Sequence, residues 1–98
     1  MTAYTIPLNA VPAQSEQVHL GGQDCRVAVY QKRTGLYLDV YLGTTPIAVG
    51  VLARDRTFCI RGVYQGFSGD LAFIDTQGAE DPDYAGIGTR YFLLWFPV

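Results

Sequence analysis

Glycine and proline break this chain about every ten residues, and the runs between them are rich in β-branched and aromatic side chains. That punctuation constrains the fold more than any other feature. No stretch holds an apolar stripe at helical spacing over three turns, whereas several alternate apolar and polar residues at strand spacing. The pattern predicts an all-β fold of about seven or eight short antiparallel strands, closed as a barrel or stacked as a sandwich. At 98 residues the chain is read as a single β domain over residues 1–98.

Residues 3–8 read as a short edge strand or strand entry, because Pro7 cannot donate to a ladder. Residues 15–20 fit either a strand, with Glu16, Val18 and Leu20 on one face, or a helical turn or two. The strand is preferred because Gly21 and Gly22 follow and suit a tight hairpin turn. Residues 24–33 then pair back, with Cys25, Val27 and Val29 on one face and Arg26, Ala28 and Tyr30 on the other. A turn at Thr34 and Gly35 leads to residues 36–42, the cleanest alternation in the chain. Leu36, Leu38, Val40 and Leu42 point to the core, and Tyr37, Asp39 and Tyr41 point outward. After a turn at 43–46, the apolar run 47–53 is expected to be covered on both faces, with Gly50 as a bulge or close-approach point. Residues 54–56 read as a polar tip, 57–63 as a strand and 65–70 as a loop. Residues 71–74 and 91–96 are buried strands flanking an acidic, glycine-rich loop.

Composition removes several function classes. A charged fraction of 16% with 49% hydrophobic residues excludes a disordered polyelectrolyte. A net charge of −2 lacks the electrostatic footprint of a nucleic-acid binder, although Arg54, Arg56, Arg61 and Arg90 lie in the second half. No apolar run approaches the roughly 20 residues of a membrane-spanning helix, so no membrane insertion is expected. The opening residues carry neither a basic stretch nor a long apolar stretch, which predicts folding in a cytoplasm without Sec export. Cys25 and Cys59 then read as two buried thiols, with a disulfide left open. His19 is the only histidine and has no recognisable nucleophile partner, so no catalytic residue is assigned. Three Cys and His residues, widely spaced, are too few for structural zinc. No metal, cofactor or small-molecule substrate is expected.

Two constellations carry interest. The loop after Ile74 holds Asp75, Glu80, Asp81 and Asp83, but its spacing fits no EF-hand. It reads as a shaped turn set by Asp, Pro and Gly, as a partner-binding loop or as a calcium site, with Tyr84 beside it and Arg90 placed to pair with a loop carboxylate. Gly86 and Gly88 allow a bend into the last strand. Tyr37 and Tyr41 form the second constellation. They read as a sugar- or protein-binding stripe, or as a second packed face.

Three segments together resemble a known family. They are the opening run from Tyr4 to Gln14, the strand Leu36-Tyr37-Leu38-Asp39-Val40-Tyr41-Leu42, and the C-terminal motifs. Those motifs are Phe73-Ile74-Asp75-Thr76-Gln77-Gly78, Glu80-Asp81-Pro82-Asp83-Tyr84 and Gly86-Ile87-Gly88-Thr89-Arg90-Tyr91. The chain resembles, from about residue 4 to about residue 95, the small baseplate plug proteins of contractile-tailed phages, of the cyanophage type. The resemblance implies a small all-β structural protein of the virion tail baseplate. It would sit on the tail axis near the spike and close the tube until contraction. Its partners would be hub, spike, tube or tape-measure proteins. The resemblance supplies no catalytic residues. Asp75, Glu80, Asp81, Asp83, Tyr84 and Arg90 are marked as candidate contacts, with Tyr37 and Tyr41 as a candidate aromatic face. The rivals are a carbohydrate- or peptidoglycan-binding module using the tyrosine face and a small cell-wall hydrolase.

Overall fold

The computed structural model describes residues 3–20, 22–60 and 69–96. These described residues form seven strands in two open antiparallel sheets, a sandwich rather than a closed barrel. The larger sheet is a meander of β2 (Ala13–Leu20), β3 (Gln23–Lys32), β4 (Gly35–Leu42) and β5 (Thr45–Leu52), in that spatial order. The smaller sheet runs β1 (Tyr4–Ile6), β7 (Tyr91–Phe96), β6 (Asp70–Asp75). Among the described residues, helical structure is limited to one 3-10 turn, Tyr84–Gly86.

The core lies where the period-2 alternation predicts. Val27, Val29, Leu36, Leu38 and Val40 of the large sheet meet Leu71, Phe73, Tyr91, Leu93 and Trp95 of the small one. The ambiguous segment 15–20 is strand, and its inward parity of Glu16, Val18 and Leu20 holds. Two-residue turns set the registers: Leu20 pairs with Gln23, Lys32 with Gly35 and Leu42 with Thr45. The predicted edge strand at 3–8 contracts to Tyr4–Ile6 and does lie at a sheet edge. Gly21, part of the predicted hairpin turn, lies outside the described residues.

Three expectations fail for physical reasons. The run 47–53 is not covered on both faces. It supplies the edge strand β5, and Val49 is 57% exposed. Gly50, at φ 68°, shifts the β4–β5 register as a bulge, and its N–H turns to the Asp39 carboxylate. Pro46 near the start of β5 costs nothing at an edge. Residues 54–56 are not a free tip, because Asp55 bridges Phe73 alongside β6. The described part of the predicted strand 57–63 makes only one isolated bridge, Phe58 to Ala72. Arg56 adopts φ 55°, which turns the chain, and the Ile60 N–H donates to the Asp70 side chain instead of to a ladder. Residues 61–63, like 65–68 of the predicted loop and the terminal Pro97 and Val98, lie outside the described residues.

Candidate functional site

The acidic loop is built on one inward carboxylate. Asp75 has the same parity as Leu71 and Phe73, so its side chain points between the sheets at the sandwich rim and is 1% exposed. Four donors satisfy it. Arg90 donates from Nε to Oδ1 at 2.8 Å and from Nη2 to Oδ2 at 2.9 Å, a bidentate pair. The backbone N–H groups of Gln77 and Glu80 donate to the same two oxygens at 2.9 and 2.8 Å. This clasp, led by the Arg90 hydrogen bonds, holds the Asp75 carboxyl well below the usual carboxylate range despite burial. The Arg90 guanidinium is raised in turn. Arg90 does pair with a loop carboxylate, as its position before the last strand suggests. The partner is in fact buried, which makes the pair the loop's anchor.

The rest of the loop is pinned from outside it. Asp55 accepts the Asp75 N–H at 2.7 Å, and Asp81 accepts the Asp55 N–H at 3.1 Å. Arg56 donates to the carbonyls of Asp75 and Gly78 and pairs with Asp55. Asp83 accepts from Gly86 N and caps the 3-10 turn. The Tyr84 N–H reaches Gln31 of β3 at 3.1 Å, tying the loop to the larger sheet. Glu80 lies 3.1 Å from Arg90 and is otherwise exposed. Of the six candidate contact residues, Asp75 faces inward and organises. Glu80, Asp81 and Asp83 show on the surface, and Tyr84 and Arg90 are half-buried. Among the described residues, no three His, Cys, Asp or Glu side chains converge on one point as a metal set. Asp55, Arg56 and Gln31 are partners that local reading missed. They lie far away in sequence, and nothing in their neighbourhood marks them.

The tyrosine face lies on the outer side of the large sheet. Register places Tyr30 opposite Tyr37 and Arg26 opposite Tyr41. The Tyr30 and Tyr37 rings stack at 6.0 Å with planes 16° apart. Lys32 Nζ sits 5.4 Å from each of these two rings, and the Arg26 guanidinium lies 4.4 Å from the Tyr41 ring. Asp39 accepts from Tyr30 Oη at 2.8 Å and from Gly50 N at 2.7 Å. Tyr37 and Tyr41 are half-buried under these neighbours, not under a second layer of the sandwich. Arg26 and Lys32 were legible in principle, since the two-residue turn fixes the β3–β4 register and puts each cation among the tyrosines.

Burial, and then the bond to Asp39, push the Tyr30 phenol up to about 12. Because the folded value lies above the ordinary 10.0, this group's contribution to stability is intact below pH 10 and lost as pH rises through 12. Burial also raises the Tyr91 phenol, so absorbance titration of the folded chain is expected to show more than one late phenol, of which Tyr30→Phe removes one. An unchanged late-titrating amplitude in Tyr30→Phe would contradict the assignment.

His19 and Asp24 form an exposed pair at 2.9 Å at the end of the β2–β3 hairpin. Cys25 lies on the opposite strand face, buried, with its thiol pushed up by desolvation. A protonated, inward thiol is not a nucleophile. Cys25 and Cys59 are both buried, and no disulfide joins them.

A family model described as the cyanophage baseplate Pam3 plug gp18 matches residues 3–98. No curated protein matches the chain.

Proposed function

The chain belongs to the cyanophage baseplate plug family, and on that premise we propose that it is a structural protein of a phage tail baseplate. It closes the lower end of the tube near the spike by non-covalent docking to hub, spike, tube or tape-measure proteins and leaves when the tail contracts. It is synthesised in the host cytoplasm and carried in the virion. It works by binding and needs no cofactor. The observation that carries this reading is the extent of the family match, which takes in nearly the whole chain.

The acidic loop suits such docking. Its backbone is already fixed by Asp75, Arg90, Asp55 and Arg56, so Glu80, Asp81 and Asp83 can meet a partner at little further entropic cost. The rival carbohydrate platform fares worse, because Lys32 and Arg26 already lie over ring faces that a sugar would need.

Mass spectrometry and imaging of particles purified from the parent genome provide the test. The chain is expected in the baseplate at the tube's lower end, and its absence there overturns the proposal. Glu80→Lys combined with Asp83→Lys is expected to deplete the chain from particles while its far-UV circular dichroism stays unchanged.

A further inference from the structure

We infer that the outer face of the four-stranded sheet is a second docking surface, shaped for the carboxylates of an acidic protein partner. The inference deepens the baseplate reading by giving the chemistry of one partner.

The central carboxylate of this face, Asp39, is consumed internally by the Tyr30 hydroxyl and the Gly50 N–H, and its peripheral one, Asp24, pairs with His19 at the hairpin end. The two cations flanking Asp39 are not matched in that way. Among the described residues, Arg26 and Lys32 make no ion pair with a carboxylate of this chain, and both side chains are exposed. They are nonetheless held in place. Arg26 lies over Tyr41, and Lys32 is shared between Tyr30 and Tyr37. Ring faces fix a cation without neutralising it, so its charge remains available to an incoming anion. Ordering these long side chains in advance also lowers the entropic cost of binding.

The class of partner follows from the same residues. Exposed arginine among half-buried tyrosines is the composition of protein-interface centres. Two ordered cations in a chain of net charge −2 are too few for a polynucleotide, whose binding proteins neutralise many phosphates from a basic face. A carboxylate-bearing protein surface needs only that many. The charge has the opposite sign to the Glu80, Asp81 and Asp83 loop. One small body thus presents an acidic loop to one neighbour and two ordered cations on a sheet face to another.

The sequence makes the test unusually clean, because Lys32 is the only lysine in the chain. A zero-length carbodiimide joins an amine to a carboxylate in direct contact. Applied to purified baseplates, it is expected to link Lys32 to an Asp or Glu of another baseplate protein. If the chain is present in baseplates but Lys32 forms no such link, the inference fails while the baseplate reading stands. An independent arm uses the isolated chain, labelled with nitrogen-15 and titrated with poly-L-glutamate at low salt. Amides of Arg26, Tyr30, Lys32, Tyr37 and Tyr41 are expected to shift, and the combined Arg26→Glu and Lys32→Glu variant to lose the response at least tenfold. Shifts confined to other arginines overturn the inference, and so does a short DNA duplex acting on the same amides at lower concentration. If the chain is missing from baseplates while poly-L-glutamate still engages this face, the baseplate reading falls and the surface assignment survives.

Discussion

Replacing Asp75 with alanine is expected to lower the melting temperature by roughly 10–20 °C, among the largest losses available to a single side chain here. The substitution strips the half-buried Arg90 guanidinium of its bidentate partner and leaves the Gln77 and Glu80 N–H groups without their acceptor. The loss arises from stranded partners rather than from the pair's own worth. Asp75→Leu combined with Arg90→Met, which removes both charges, should therefore recover part of the stability.

The pH dependence carries the same signature. The folded carboxyl is held far below its ordinary value of 3.8, so its contribution is complete above that pH and is lost progressively as pH falls below it. Thermal unfolding followed by circular dichroism at pH 7 and pH 3 checks this. Wild type should lose stability between the two, and Asp75→Asn should lose distinctly less. An acid loss of equal size in both proteins would show that some other carboxylate controls it.

The second large effect is expected at Gly69, which leads into β6. Its φ of +85° is a left-handed conformation, and a Cβ there would lie 2.3 Å from the Phe96 carbonyl oxygen and 2.8 Å from Trp95 Nε1. The first contact is with backbone, which cannot swing away. Gly69→Ala is expected to cost about 2–5 kcal/mol, combining left-handed strain with overpacking. Gly43 provides the internal control. It too has positive φ, at +62°, but its added Cβ would meet nothing within 4 Å. Gly43→Ala should thus cost only the conformational part, about 1–2 kcal/mol. Equal losses in chemical denaturation for the two variants would refute the steric argument.

What could be read from the chain and what could not divide along one physical line. The hairpins of the large sheet are local: alternation at Cys25, Val27 and Val29 and again at Leu36, Leu38 and Val40 places the inner face, and short turns fix the register. Residues 71–74 and 91–96 were legible as buried strands by the same density of apolar residues, and the Arg90 pairing by its position at the loop's end. The anchoring of that loop was not. Asp55 and Arg56 reach Asp75 across a separation that no local pattern encodes, and the left-handed φ of Arg56 has no glycine to announce it. The run 47–53 misled because apolar content signals burial only when a neighbouring layer exists, and β5 is the edge of the four-stranded sheet, with Val49 exposed. Residues 57–60 have strand-like composition but are steered by Arg56 and Asp70 into a single bridge.

The pairing of β1 with β7 has a consequence in time. Tyr4 stacks on Trp95, so β1 waits for β7 before it has a ladder to join. The meander from Ala13 to Leu52 involves only neighbouring hairpins and can assemble well before that. During synthesis, therefore, the larger sheet emerges with Val27, Val29, Leu36, Leu38 and Val40 still facing water. Only when β7 leaves the ribosome can the smaller sheet close over them. That interval is aggregation-exposed, and it ends with the step that pairs β1 with β7.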